Sequence, residues 1–265
     1  MIQLLYILFF LCLLYLLLAS LVYLVQEYFF FQPEKLPHHF VFDFAIPFEE
    51  KFFYPEGQSA VINALHFTVQ NPKGVVLYFK GNTRSIKGWA KFARDFTNKG
   101  YDVMMFDYRG FGKSRGVRTE ETMYADAQMV YDALKKQYKE EEIVIYGRSM
   151  GSGFATRIAA DNQPRLLILD APYYSFLHLM RRYMPLLPIK RILKYKIHTD
   201  RFIENVNCPI HVFHGTQDMV IPFSAGMRLV RKVGNQARLI SIRGGGHNDL
   251  RNYPKYHEYL FDILV

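Results

Sequence analysis

Ser149 lies in Gly147-Arg-Ser-Met-Gly151, a Gly-x-Ser-x-Gly spacing preceded by the apolar run Ile143 to Tyr146 and followed by Gly153, Ala155, Ala159 and Ala160. The apolar run reads as a buried strand and the small residues after it as a helix. A serine turned so tightly between the two must adopt strained backbone, and small residues two positions to either side let strand and helix approach. The turn would present Ser149 at the carboxyl end of a parallel sheet, at a helix N-terminus whose dipole favours negative charge. A serine hydroxyl becomes a nucleophile only if a base within hydrogen-bond reach takes its proton and a third group orients that base.

Two later loops offer that base and its orienter. His247 sits in Arg243-Gly-Gly-Gly-His-Asn-Asp249, just after the last predicted strand, and Asp218 in His214-Gly-Thr-Gln-Asp-Met-Val-Ile-Pro222, just after the one before. Both loops should leave the sheet edge that carries Ser149, and the chain order Ser, Asp, His matches one lineage of such triads. Asp170, in Leu169-Asp-Ala-Pro172, competes with Asp218 for the orienting role but reads more simply as ordering its own turn. The other eight histidines read as structural.

Charge developing on an acyl oxygen needs two backbone N–H groups aimed at it. Met150, directly after the serine, is one candidate. Asn82 is the other, in the loop Phe79-Lys-Gly-Asn-Thr83, where Gly81 permits close approach. A second glycine-punctuated loop, Asp107-Tyr-Arg-Gly-Phe-Gly-Lys-Ser114, superficially suggests a phosphate cradle. That motif requires a glycine where Asp107 stands, so the phosphate reading fails, and Asp107 and Arg109 are expected to tie the loop together.

The elements that must position these residues alternate along the chain. Phe48 to Tyr54 and Ala60 to Val69 read as an antiparallel hairpin, and Gly74 to Phe79 as a third strand. Ile86 to Asn98 then reads as helix, Tyr101 to Phe106 as strand and Thr119 to Tyr138 as helix. After the Ser149 turn and its helix to Ala160 come a strand at Leu166 to Leu169, a strand at Ile210 to Phe213 and a helix at Ser224 to Val233. A strand at Arg238 to Ile242 and a helix at Tyr253 to Leu264 close the chain. Such alternation specifies right-handed βαβ units and a mostly parallel sheet with helices on both faces.

The N-terminus is of another kind. Leu4 to Val25 carries no charge and, as a helix rising ~1.5 Å per residue, covers about 33 Å, enough to cross a bilayer. No Lys or Arg precedes it and no small-x-small site follows, which favours an uncleaved anchor over a signal peptide. Tyr23, Tyr28 and Phe29 to Phe31 suit an aromatic belt at its far end. We therefore expect an anchor over 1–27, a linker over 28–47 containing Pro33 and Pro37, and a catalytic domain over 48–265 in a single-pass membrane protein. The net charge of +9 leans that domain to the cytoplasmic side. With no CxxC, no clustered metal-ligand spacing and no nucleic-acid motif, a zinc site and nucleic-acid binding are excluded from the working reading. No cofactor is implied.

Taken together, the motifs resemble a known family. From about residue 48 the chain is similar to the α/β-hydrolases and, more narrowly, to the membrane-anchored Bem46-like serine hydrolases. The resemblance is carried by Gly-Asn after the third strand, Asp-Tyr-Arg-Gly-Phe-Gly-x-Ser, Gly-Arg-Ser-Met-Gly, His-Gly-x-x-Asp-x-x-Ile-Pro and a late Gly-His, in family order. It implies Ser149 as nucleophile, His247 as general base and then acid, Asp218 as orienter, and Asn82 and Met150 as oxyanion donors. One departure stands out: the family usually has His-Gly-Asn where this chain has Lys80-Gly81-Asn82, so Lys80 either places a cation beside an anionic substrate or points to solvent.

In this fold the lid is usually the insertion before the penultimate strand, here about 173–207. It carries Arg181, Arg182, Lys190, Arg191, Lys194, Lys196 and Arg201 against Asp200 and Glu204, with apolar residues interleaved. A basic, apolar lid beside an anchor suits anionic lipid, with acyl chains passing from bilayer to Ser149; against this stands packing of its apolar residues on the body. Tyr173, at the lid's start, joins Lys80 as a substrate-proximal candidate. The expected activity is hydrolysis of carboxylic esters or thioesters of a small-molecule or lipid acyl substrate. A serine peptidase and a non-catalytic tethered binding protein are the alternatives.

Overall fold

The computed structural model describes residues 1–265. It begins with α1 (Ile2–Phe30), whose 29 residues are long and apolar enough to cross a membrane and whose most apolar window is only 6% buried. The core helix of a soluble protein would be covered by its neighbours; this one is bare along most of its length.

A hairpin follows, β1 (Phe48–Phe53) and β2 (Ile62–Phe67), then β3 (Val75–Phe79). Next come α2 (Ile86–Trp89), α3 (Arg94–Thr97), β4 (Asp102–Phe106), α4 (Glu120–Lys135) and β5 (Ile143–Arg148). The chain continues through α5 (Gly151–Asp161), β6 (Leu166–Asp170), α6 (Phe176–Tyr183), α7 (Ile189–Ile192), α8 (Thr199–Phe202) and β7 (Ile210–Gly215). It ends with α9 (Phe223–Val233), β8 (Ala237–Ile242) and α10 (Pro254–Leu264).

The eight strands form one sheet in the order β1-β2-β4-β3-β5-β6-β7-β8, antiparallel across its first three members and parallel from β4 to β8. This is the α/β-hydrolase fold. Because successive side chains on a strand point to opposite faces, β5 sends Ile143 and Ile145 into one core and Val144 and Tyr146 into the other. The first core is completed by α4, α5, α9 and the lid; the second by α2, α3 and α10.

Three sequence expectations are corrected. The helix read over Ile86 to Asn98 is broken by a tighter turn at Ala90–Ala93 between α2 and α3. The helix that contains the stretch expected as an anchor over 1–27 runs to Phe30. The stretch read as a linker is bound to the body: Phe31, Leu36 and Phe42 are buried, and backbone bridges join Gln32 to Thr83 and Lys35 to Gly112. Its prolines stop helix and punctuate an extended strap, which can satisfy its backbone on loops that have spare donors and acceptors.

Candidate active site

β5 and α5 meet at Ser149, whose φ of +50° lies in the left-handed region that non-glycine residues avoid. The flanking glycines are steric necessities. A Cβ on Gly147 would lie 2.5 Å from that of Ala155, and one on Gly151 2.3 Å from the Phe79 carbonyl oxygen. Strand, turn and helix therefore pack backbone to backbone, and the serine stands clear of all three.

His247 and Asp218 arrive on the loops after β8 and β7. His247 Nδ1 lies 2.8 Å from Asp218 Oδ2, and His247 Nε2 2.9 Å from Ser149 Oγ. A carboxylate only accepts, so Nδ1 carries the proton and the unprotonated Nε2 is left to accept from the serine hydroxyl. Burial works to raise the Asp218 carboxyl, but hydrogen bonds with His214 and His247 outweigh it and hold it well below the ordinary carboxylate range. Backbone N–H groups of Val220 and Ile221 donate to its other oxygen at 2.9 and 2.7 Å. Asp218 is thus an ionised, fully oriented acceptor. His214, one of the histidines read as structural, is itself part of that support: it lies 3.5 Å from Asp218 and bonds the Ile221 carbonyl at 2.9 Å.

Asp170 is placed elsewhere. Its carboxylate accepts from Tyr146 and Tyr256 and faces Arg148, and it makes no bond to the His247 ring.

Asn82 and Met150 line the same cavity as Ser149, and neither backbone N–H donates to another group of the protein. Both donors are therefore free to serve a group placed in the cavity beside Ser149. Tyr173 also lines the cavity, and its hydroxyl donates to the Met150 carbonyl at 3.1 Å, which holds the Met150–Gly151 peptide.

Lys80 meets neither sequence expectation. Its side chain is 1% exposed, with the ammonium 3.4 Å from Asp107 Oδ1, 3.3 Å from the Arg84 carbonyl and 3.7 Å from the Phe111 ring centroid. It does not border the cavity. Burial pushes its pKa down to about 8 against the pull of Asp107, and burial likewise raises Asp107, to about 6, against the pull of Lys80. At neutral pH both remain ionised, as a buried pair beneath the Asn82 loop. Asp107 and Arg109 do tie their loop: Asp107 accepts from the Ile86 N–H at 3.0 Å, and Arg109 holds Asp126 through two contacts of 2.7 Å.

The cavity, of about 200 Å³, is apolar at ten of its twelve lining residues. The lid supplies Phe176, Leu179, Met180 and Tyr183. Opposite them stand Phe29 and Phe30, from the last turn of α1, which sequence reasoning had assigned to a membrane belt. The end of α1 and the strap after it also hold the Asn82 loop. The Asn82 side chain donates to the Phe30 carbonyl at 2.8 Å, its own carbonyl accepts from the Gln32 N–H at 2.9 Å, and the Gln32 carbonyl accepts from the Arg84 N–H at 2.9 Å. Gln26, 2% exposed, ties α1 to the lid by donating to the Ile192 carbonyl at 2.9 Å and accepting from the Lys194 N–H at 2.8 Å.

A family profile described as serine aminopeptidase, S33, matches residues 70–201. The chain is similar to the alpha/beta hydrolase domain-containing protein 17B of Homo sapiens, 30% identical over 193 residues that cover 72% of this chain and 66% of the relative. It is also similar to a lysophosphatidylserine lipase of Danio rerio, 28% identical over 180 residues that cover 60% of this chain and 47% of the relative. The chain therefore spans between about half and two thirds of the length of these curated relatives. A solved esterase from Pyrococcus furiosus, 18% identical, matches with a TM-score of 0.70 over 88% of this chain and 96% of that one, a likeness of fold.

Proposed function

The chain belongs to the α/β-hydrolase family, and from that premise we propose that it is a serine hydrolase of carboxylic esters or thioesters with a hydrocarbon acyl part. The observation that carries the reading is the contiguous relay from Asp218 through His247 to Ser149, opening on an apolar cavity. His247 Nε2 takes the serine proton as Oγ attacks the acyl carbonyl, and Asp218 stabilises the imidazolium that forms. The Asn82 and Met150 N–H groups receive the oxyanion. His247 then returns the proton to the leaving alcohol or thiol, and a water activated by the same nitrogen releases the acid from Ser149. Every bond made and broken uses this chain's own residues and water.

The narrow apolar cavity supports a flexible chain rather than a bulky polar group, and the relative named for lysophosphatidylserine supports an acyl lipid. The family description names an aminopeptidase, which favours amide hydrolysis as the second reading. No acidic side chain lines the cavity, so nothing in it would hold the ammonium of a peptide's N-terminus. The test is the full chain in lipid nanodiscs, treated with a fluorescent fluorophosphonate beside Ser149→Ala and His247→Ala, and then assayed on acyl esters, acyl thioesters and aminoacyl amides. Labelling lost in both variants, with turnover of esters or thioesters well above amides, is expected. Absence of labelling in folded wild type would overturn the serine mechanism and move the chain to the tethered binding reading; preference for amides would move it to the peptidases.

A further inference from the structure

The proposed reaction restricts where a leaving group can lie. The alcohol or thiol that departs takes its proton from His247 Nε2, so it extends on the side of Ser149 where the His247 loop stands. The acyl cavity lies on the other face of the sheet, where Met150, Phe176, Leu179 and Met180 belong to the first core. On the face of the second core, at the same sheet edge, opens a separate recess of about 280 Å³ walled by Trp89 and Phe92. Its lining includes the chain neighbours of the reacting groups: Arg148 precedes Ser149, and Asn248 follows His247.

The recess is cationic. Arg84, Lys91 and Arg148 line it, and no carboxylate does. Arg148 is 6% exposed and lies 5.4 and 5.3 Å from the Trp89 and Phe92 ring centroids. Its Nη2 donates to the His247 carbonyl and to Asn248 Oδ1, both at 3.4 Å, and its Nη1 donates to nothing in the chain. Asp170, 4.0 Å from Nε, answers its charge. Arg84 and Lys91 are exposed and have no ion pair, whereas their neighbour Lys87 is paired with Glu34 at 3.3 Å. Asp43 borders the next hollow along this surface, which shares Arg84 and Lys91, and is paired with neither.

Arg84 is held in place. Its backbone, at φ +55°, is tied at the N–H by Gln32 and at the carbonyl by Lys80. Its side chain lies across Gly88 of α2, where a Cβ would stand 3.0 Å from Arg84 Cδ. Glycine is a poor helix residue, and here its missing side chain makes the track on which Arg84 rests.

Two cations without partners match a dianion, and a phosphate monoester carries about −1.5 to −2 at neutral pH. A guanidinium offers its oxygens a forked, charge-assisted contact. We infer that this recess is a leaving-group site, and that the alcohol or thiol freed at Ser149 carries a phosphate monoester held by Arg84 and Lys91 with Arg148 behind them. The inference rests on the reaction proposed for Ser149.

Trp89 is the only tryptophan of the chain, so its emission reads occupancy of the recess without any reaction. In detergent micelles, glycerol 3-phosphate should change that emission saturably in the full chain and in Ser149→Ala alike. Arg84→Gln/Lys91→Gln should raise the half-saturating concentration about tenfold. Lys73→Gln/Lys136→Gln, which removes the same charge from exposed residues at the opposite edge of the sheet, should not. In turnover, kcat/KM for the butanoyl ester of glycerol 3-phosphate should exceed that for butanoylglycerol about tenfold, with the methyl phosphodiester between them, and Arg84→Gln/Lys91→Gln should erase the preference. A preference that survives this variant, or is lost equally in Lys73→Gln/Lys136→Gln, would overturn the inference, as would no preference in the wild type. In nanodiscs, the water-soluble butanoyl ester and a bilayer-resident palmitoyl counterpart separate a soluble phosphoester from a lipid one by which of them shows the Arg84-dependent preference. If Ser149→Ala left turnover intact, the leaving-group role would fall with the reaction, while the Trp89 titration would still decide whether the recess binds phosphate.

Discussion

The two sides of the cavity are built on different supports. Ser149, Asp218 and His247 stand on loops leaving one edge of a sheet: glycine contacts fix Ser149, two backbone N–H donors fix Asp218, and Asp218 in turn holds His247. The wall facing them joins the lid to the last turn of a helix from the other end of the chain, through Gln26, Phe30 and Asn82. The first side carries the candidate reacting groups and is held mainly by loops of the sheet, with the lid adding bonds from Tyr173 to the Met150 carbonyl and from Tyr183 to the Val220 carbonyl. The second provides access and shape, and through α1 it answers to whatever surrounds that helix. The Asn82 loop belongs to both: it offers a free N–H to the cavity, while its side chain is held by the end of α1 and its carbonyl by Gln32 of the strap.

That division can be tested by the size and kind of loss each side produces. On the reactive side, Ser149→Ala should lower kcat for a short acyl ester by about 10⁶-fold with the melting temperature nearly unchanged. Asp218→Asn should lower it by about 10⁴-fold, because an amide can present its NH₂ to Nδ1 and impose the wrong tautomer. A loss below tenfold in this variant would mean that the Asp218 carboxylate is not what orients His247.

On the shared side, the losses should be smaller and different in kind. Lys80→Met strands the buried Asp107 charge and should cost about 3 kcal/mol of stability, read by denaturant unfolding and largely recovered in Lys80→Met/Asp107→Asn. The pH dependence has a definite sign. Folded Lys80 releases its proton near 8, below its ordinary 10.5, so between those values the unfolded chain holds the extra proton and stability rises with pH. That contribution is complete above 10.5 and lost as pH falls through about 8, so the wild-type advantage over Lys80→Met should widen between pH 8 and 10.5. Smallest of all, Asn82→Ala keeps the backbone N–H but releases it from Phe30, and should lower kcat about tenfold, a little over 1 kcal/mol, at unchanged KM for a soluble ester. A change in KM alone would place Asn82 among the substrate contacts instead.

Legibility in the sequence divides along the same line. The Ser149 turn, the Asp218 and His247 loops and the order of strands could be read because each rests on local signals: glycine spacing, apolar runs, and position just after a strand. Helix ends were off by a few residues, and the Ile86 helix was read through its internal break, because the helical pattern continues on both sides of Ala90. The strap from Phe31 to Phe42 was read as linker because backbone bridges such as Gln32 to Thr83 leave no trace in side-chain pattern. Lys80 was assigned to solvent or substrate because lysine is rarely buried, and its partner Asp107 lies on a different loop. Phe29 and Phe30 have the composition of a membrane belt, and only the turn of α1 onto the lid reveals that they also face the cavity.

The hydrogen bond from Asn82 to the Phe30 carbonyl couples the end of α1 to the loop whose N–H faces the Ser149 cavity. A protease that cut the chain just beyond Val25 would set free a domain still folded on its sheet, with its serine, histidine and aspartate in place. Such a cut would remove the helix that seats Phe30, so the peptide steadying the Asn82 loop would become a fraying terminus. Loss of the helix should therefore weaken turnover by about the tenfold expected of Asn82→Ala while Ser149, His247 and Asp218 stay in place.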